Sequence, residues 1–296
     1  MMSNADLPPL DKPITEEQIQ RIGVHCRGWA SEDETISAMA SSAARRALAD
    51  AGRSPEELDF IILSNWTQRR FYPDIAARVQ HELGAPQAFA FDVSTACAGF
   101  AVAASVARGY LATGHKVGLI VASETTSRRA RPNSKATLVF GDAAGAWVLE
   151  GGEGPGGRLL DLEVMTDGRH ADAMEVDGQG HVRTHIAQKD LQQLAIHSFR
   201  TASQRVLDRQ GLTLDDVDWV VPHSGTAGIQ ALLLRTLEID PAKVLVNFPE
   251  VGNVSSAAIP VALDAFVQKG TVKPGDLVLS PTTGSGWYAA ALLYRA

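Results

Sequence analysis

Apolar residues fall in two rhythms along this chain. Phe60-Ile61-Ile62-Leu63 is an unbroken apolar run, the pattern of a strand buried on both faces. Before it, Ile36, Met39, Ala43, Ala44 and Leu48 recur at helical spacing and predict a helix over 34–51 that stops at Gly52. The alternation continues with a helix over 73–83 ending at Gly84, a strand over 88–93, a small-residue helix over 97–113 ending at Gly114, and a strand over 117–122. Residues 137–139 and 146–150 read as a strand pair around Gly141-Asp142. The first twenty residues are polar and broken by Pro8, Pro9 and Pro13. Within them, Thr15-Glu16-Glu17-Gln18 predicts a helix start, with Thr15 as N-cap and Gln18 as its reciprocal partner. Strands alternating with helices imply an α/β fold, a mostly parallel sheet covered by helices.

Residues 151–157, Gly-Gly-Glu-Gly-Pro-Gly-Gly, form a turn-rich break, and the domain boundary is drawn there: 1–153 and 154–296. Beyond it the pattern starts again. Asp59-Phe60-Ile61-Ile62 recurs as Asp218-Trp219-Val220-Val221, an offset of 159. At that offset the strand at Leu119 falls on Val278, and residues 94–100 fall on 253–259, in both cases a small-residue turn opening a helix. Three features at one offset argue for a duplicated α/β unit whose two similar halves pack together. The duplication leaves a gap. A strand over 159–165 opens the second half, and its counterpart would lie at about residues 0–6. Nothing there resembles a strand, so the chain either lacks it or starts upstream.

Composition narrows the class. The chain has 296 residues, 45% apolar and 21% charged, which excludes a disordered, collagenous or coiled-coil chain. A net charge of −7 without a basic stripe argues against a nucleic-acid surface. The longest uncharged stretch, 277–294, contains Pro281, Gly284 and Gly286 and reads as strands and turns rather than a membrane span. The N-terminus shows no signal sequence. Two cysteines, Cys26 and Cys97, cannot make a disulfide framework, and a cytoplasmic location is expected.

Candidate chemistry centres on Cys97, in Ser94-Thr95-Ala96-Cys97-Ala98-Gly99-Phe100 directly after the strand over 88–93. A helix N-terminus behind a cysteine favours the thiolate, and small neighbours admit substrate. A buried structural cysteine is the alternative. His223 follows the strand at 219–221, where ligands of open α/β sheets collect. Asn253 lies in Gly252-Asn253-Val254-Ser255-Ser256, the second-half version of the Cys97 turn. A structural His or a turn Asn is the alternative for each. All three come from corresponding strand ends, so the duplication can bring them together. Thr282-Thr283-Gly284-Ser285-Gly286 offers a backbone N–H to an oxyanion, or is a hairpin turn. Phe140-Gly141-Asp142 reads as structural. There is no Walker loop, dinucleotide fingerprint or Gly-x-Ser-x-Gly elbow, and no His-Glu-x-x-His zinc motif.

On these motifs the chain resembles the β-ketoacyl-acyl carrier protein synthase III family of the thiolase superfamily, from Glu16 to Arg295. The likeness is strongest in residues 92–100, 140–146, 221–223, 252–260 and 284–286. The resemblance implies a thiolase-like duplicated αβαβα fold and a homodimer. It implies a Cys97–His223–Asn253 triad and an oxyanion hole from the backbone of Cys97 and Gly284. Its chemistry would be acyl transfer to Cys97, then decarboxylative condensation with a malonyl thioester. The acyl donor would be a coenzyme A or acyl carrier protein thioester, with no metal or redox cofactor. Arg21, Lys135, Thr226 and Ser285 are the candidate substrate contacts. Three family positions at the entrance differ: Gln18 replaces a tryptophan, Gly228 a basic residue, and Ser134 an arginine beside Lys135. Thr226 stands where the family has asparagine. These departures point to a specialised-metabolism member. Two other readings remain open at this stage. One is an acyltransferase moving the acyl group from Cys97 to an alcohol or amine. The other is a catalytically weak partner subunit of a heteromeric ketosynthase.

Overall fold

The computed structural model describes residues 1–68, 72–152, 157–223 and 225–296. A two-residue strand β1 (Met2–Ser3) pairs with β2 (Cys26–Arg27), and between them lies helix α1 (Glu16–Ile22). The capping box at α1 forms as the sequence predicts: Gln18 N–H donates to Thr15 Oγ1 at 3.3 Å, and Thr15 N–H donates to Gln18 Oε1 at 3.2 Å. The first half continues as α2 (Ile36–Asp50), β3 (Phe60–Ser64), α3 (Ala76–Leu83), β4 (Phe89–Val93), α4 (Gly99–Ala112), β5 (Val117–Thr125) and β6 (Asp142–Glu150). Its sheet has the order β4-β3-β5-β6, with β3 parallel to both neighbours and β6 antiparallel to β5.

The second half runs β7 (Arg158–Thr166), β8 (Met174–Val176), β9 (Val182–Thr184), α5 (Gln188–Gln210), β10 (Trp219–Val220), α6 (Ala227–Leu237), α7 (Phe248–Val251), α8 (Ala258–Gln268), β11 (Leu277–Gly284) and β12 (Tyr288–Arg295). Its sheet has the order β10-β11-β12-β7. Here β10 is parallel to β11 and β12 is antiparallel, as β3, β5 and β6 are in the first half. The turn Ala96–Ala98 entering α4 and the turn Ser255–Ala257 entering α8 lie at the offset seen in the sequence. The duplication is therefore structural.

The apolar rhythm sets the layers. Along β3, Phe60 and Ile62 face a central cluster with Phe100 and Ala104 of α4 and Val278 and Leu292 of the second sheet. Ile61 and Leu63 point the other way, against Ile36, Ala44 and Leu48 of α2 and Val79 of α3. The second sheet repeats this: Leu279, Ala291 and Leu293 face Phe199 and Val206 of α5 and Leu233 of α6. Five layers result, with α4 and α8 in the middle. The alanines of α4 let it pack closely there (Ala101, Ala103, Ala104 and Ala107 are all buried).

Several expectations are corrected. Residues 137–139 form no strand: Lys135–Leu138 is a 3₁₀ turn, and β6 begins at Asp142 and pairs with β5. The reason is long-range. Asn253 N–H donates to Val139 O at 2.7 Å and Gly141 N–H to Asn253 O at 3.1 Å, so this segment pairs with the other half. A Cβ on Gly141 would collide with the Val251 carbonyl, which explains the glycine. Asp142 anchors the turn, accepting from Ser127 N–H, Ser127 Oγ and Ala30 N–H. Helix α3 starts at Ala76 rather than at residue 73, because the Asp92 carboxylate takes the N–H groups of Ile75 and Ala76. At the N-terminus a strand does form, but β1 pairs with β2 and not with β6. Among the described residues, β6 has no counterpart to β7 at its side. The expected boundary between residues 153 and 154 lies outside the described residues. No described helix is long and apolar enough to cross a membrane, and residues 277–294 form β11, its turn and most of β12.

Two glycines of α4 separate close packing from open space. A Cβ on Gly99 would run into the Ser64 side chain, whereas one on Gly109 meets nothing within 4 Å. Gly99→Ala is expected to lower unfolding free energy by about 1–3 kcal/mol through overpacking. Gly109→Ala is expected to raise it by up to about 1 kcal/mol through helix propensity. Urea denaturation of both variants checks the contrast.

Candidate active site

Cys97 sits in the turn between β4 and α4. Ala96 before it has φ +48° and Ser255, its second-half equivalent, has φ +53°, so both turns reverse through a left-handed residue. The two turns meet face to face: Ser255 Oγ lies 3.1 Å from Cys97 Sγ. Thr282 Oγ1, on β11, donates to the Cys97 carbonyl at 3.1 Å. Gly284, the last residue of β11, is pressed against the same turn. A Cβ there would come 2.9 Å from the backbone nitrogens of Cys97 and Ala98, so only glycine fits. The backbones of Cys97 and Gly284 are thus adjacent, as an oxyanion hole requires.

His223 follows β10, and its N–H donates to Pro281 O at 3.0 Å. Its ring is buried, and that burial pulls the imidazole down to about 4, so it is neutral at physiological pH. Asn253 is held on both sides. Its backbone pairs with Val139 and Gly141, and its Oδ1 accepts Ser255 N–H at 3.0 Å. The amide Nδ2 is the remaining polar end of the side chain and makes no hydrogen bond among the described residues. It shares a wall with the His223 ring, since a Cβ on Gly225 would stand 2.7 Å from Asn253 Nδ2 and 3.7 Å from His223 Cε1. A small cavity is lined by Pro222, His223, Gly225 and Asn253.

The electrostatics of Cys97 differ from the expectation. The helix N-terminus favours a thiolate, but burial outweighs it and pushes the thiol up to about 12, opposed by the bond from Ser255. At neutral pH Cys97 is a thiol. Burial cannot be read from a seven-residue motif.

Several polar residues beside the nucleophile carry no sequence signature. Trp66 Nε1 donates to Ser255 Oγ at 2.7 Å. Glu124, on β5, accepts from Ser256 Oγ at 2.6 Å, Thr67 Oγ1 at 2.8 Å, and the N–H groups of Trp66 and Thr67 at 3.3 Å. Burial raises its carboxyl to about 7. The one available clue was the duplication, which aligns Ser256 with Cys97 and Ser255 with Ala96.

Of the candidate substrate contacts, Arg21 and Lys135 are exposed, while Thr226 and Ser285 each follow a glycine packed against the site. Arg21 is exposed on α1 and pairs with Glu17 at 3.5 Å. The end of α1 meets the start of α6, where a Cβ on Gly228 would lie 3.5 Å from the Arg21 carbonyl. Thr226 caps α6, its Oγ1 accepting from Ile229 N–H at 3.4 Å. Ser285 Oγ donates to Met174 O at 2.6 Å and ties the β11–β12 turn to β8. Lys135 is exposed on the turn Lys135–Leu138. Among the described residues no group of three His, Cys, Asp or Glu side chains could hold a metal ion.

Comparison with known proteins points one way. Residues 91–168 match the family model described as 3-oxoacyl-[acyl-carrier-protein (ACP)] synthase III, and residues 207–296 match that of its C terminal part. The β-ketoacyl-[acyl-carrier-protein] synthase III of Mesorhizobium japonicum is 36% identical over 308 aligned residues, covering 100% of this chain and 95% of the relative. The protein of that name from Ruegeria is 37% identical, covering 93% and 88%. The solved 3-oxoacyl-[acyl-carrier-protein] synthase III of Aquifex aeolicus superposes with TM-score 0.90 at 35% identity, over 96% of this chain and 92% of that one. The priming β-ketosynthase of the R1128 polyketide biosynthetic pathway gives 0.86 at 31%, over 95% and 88%.

A buried neutral His223 has a measurable cost. The unfolded chain takes up a proton at about 6.5, the folded one only at about 4, so stability is lost as pH falls between those values. The loss amounts to about 3 kcal/mol for such a shift. Urea denaturation across pH 7.5–4 should show this acid limb in the native protein and a flatter one in His223→Asn. Parallel curves would mean the imidazole is not held neutral.

Proposed function

Because the chain belongs to the β-ketoacyl-[acyl-carrier-protein] synthase III family of condensing enzymes, we propose that Cys97 carries the acyl group while His223 and Asn253 serve its condensation with a malonyl thioester. In loading, the Cys97 sulfur attacks the acyl thioester, and the donor's own thiol leaves with the proton that Cys97 gives up. The N–H groups of Cys97 and Gly284 take the oxyanion. In condensation, the malonyl carbon–carboxylate bond breaks and carbon dioxide departs. The enolate oxygen accepts hydrogen bonds from His223 and Asn253. Its carbon then attacks the acyl carbonyl, and the bond between the acyl carbon and the Cys97 sulfur breaks to return the thiolate.

The observation that carries this reading is the orientation of Asn253. With Oδ1 committed to Ser255 N–H, its amide presents donors beside a neutral imidazole. A pair of neutral donors suits a developing enolate and has no use in plain transfer to an alcohol or amine. A non-catalytic subunit has no need of it at all.

We read the partner as an acyl carrier protein or coenzyme A thioester that approaches over Arg21, Thr226 and Gly228, with Lys135 and Ser285 as further contacts. Gln18 is tied into the α1 capping box and supplies no aromatic face for an adenine, which favours a carrier protein as acyl donor. We take the assembly to be a homodimer in the cytoplasm that works without metal or redox cofactor.

Intact-protein mass after mixing with acyl thioesters, followed by assay with malonyl thioester, tests the roles. Cys97→Ala is expected to gain no acyl adduct. Asn253→Ala is expected to load normally and lose condensation by about 10²–10³-fold, the cost of one oxyanion donor. An adduct on Cys97→Ala refutes the nucleophile, and normal condensation by Asn253→Ala refutes the enolate role.

A further inference from the structure

The sulfur of Cys97 has one side-chain hydrogen-bond partner among the described residues, Ser255 Oγ at 3.1 Å. A hydroxyl can donate or accept, so the contact alone leaves the direction of the proton open. Trp66 narrows the choice. Its indole Nε1, 2.7 Å from the same oxygen, is a donor only. Ser255 Oγ therefore accepts from Trp66 through one lone pair and keeps its proton available for the sulfur, and once the sulfur is an anion, which can only accept, the contact runs from Ser255 to Cys97. The backbone holds this arrangement in place. Ser255 adopts a left-handed φ of +53°, uncommon for a non-glycine residue, and its N–H is bound to Asn253 Oδ1. The loop carrying Trp66 is pinned in turn, since the N–H groups of Trp66 and Thr67 donate to Glu124.

We propose that Ser255 is a catalytic hydrogen-bond donor to the anionic sulfur of Cys97, and that Trp66 is a positioning residue that turns the Ser255 hydroxyl toward it. This rests on the reading of Cys97 as the acyl-carrying nucleophile. The anion appears twice in that chemistry: when Cys97 is deprotonated for loading, and when condensation expels it from the acyl thioester. A donor that strengthens as the sulfur becomes negative assists both events and does little for the neutral thiol or thioester. The site is otherwise set against the anion, because Cys97 is half-buried and Glu124 lies nearby, and both push the thiol up. Three segments far apart in sequence supply the relay: the loop after β3, the turn before α4 and the turn before α8.

The test is the rate of iodoacetamide alkylation at Cys97, followed by peptide mass mapping of the full-length protein between pH 8.5 and 10. In that range Glu124, held near 7, is already ionised and His223, near 4, is neutral, so neither changes state. Ser255→Ala is expected to react about tenfold more slowly at each pH, a one-unit displacement of the pH–rate curve to higher pH. Trp66→Phe keeps the ring and removes only the N–H, and is expected to slow the reaction about threefold, by roughly half a unit. Cys26 in the same samples should be unaffected. The sign separates this role from a packing role, because a loosened site would expose Cys97 and speed its alkylation. A native or faster rate in Ser255→Ala overturns the donor. A native or faster rate in Trp66→Phe overturns the relay, and that variant decides alone if Ser255→Ala does not fold. Acylation of Cys97, read by mass in parallel, reports separately on the nucleophile itself.

Discussion

The two halves of the molecule are joined at their centre by backbone pairing between Asn253 and residues 139–141. Asn253 N–H reaches the Val139 carbonyl at 2.7 Å, Gly141 N–H returns to Asn253 O at 3.1 Å, and Thr126 Oγ1 donates to that same oxygen at 2.9 Å. Everything in the candidate site hangs on this pairing. It fixes Asn253 and so places Ser255 two residues later against the sulfur of Cys97. It also explains the local sequence, since Gly141 must be bare for the Val251 carbonyl to approach and Asp142 must hold the turn from beneath. A non-local pair of this kind costs loop-closure entropy, which the buried central layer of α4 and α8 offsets.

Around that joint burial shifts the ionisable groups toward their neutral forms. Burial raises Cys97 and Glu124 and lowers His223, three shifts from one cause. A site that disfavours charge in the resting state makes every well-aimed donor count for more when charge develops, because water does not compete. The adjacent backbones of Cys97 and Gly284, the amide of Asn253 and the hydroxyl of Ser255 are such donors. Bonds from Thr282 to the Cys97 carbonyl, from Ser255 N–H to Asn253 Oδ1 and from Trp66 to Ser255 Oγ hold them in place.

Much of the fold could be read from the chain because it depends on local or repeated patterns. The run at 60–63 announces a doubly buried strand, and the offset of 159 brings Cys97 and Asn253 onto equivalent turns before any coordinates are known. All but one of the failures share a cause. Residues 137–139 read as a strand, but Lys135–Leu138 is a 3₁₀ turn and Val139 pairs with Asn253 of the far half. The helix behind Cys97 suggests a thiolate, while the enclosure that opposes it is built by both halves. Met2–Ser3 is too short to leave a period. Trp66 belongs to no motif, and it meets Ser255 beside Cys97 only when residues 66, 97 and 255 are folded together.

The condensing account stands most directly on a single turnover. The protein is first acylated on Cys97, freed of excess donor, and then mixed with a malonyl thioester labelled at its free carboxylate. The account predicts that labelled carbon dioxide appears in step with the loss of acyl-Cys97, one for one, and that the acyl group leaves as a β-ketoacyl thioester. Loss of acyl-Cys97 without labelled carbon dioxide, with the acyl group recovered as an ester, amide or free acid, would contradict it.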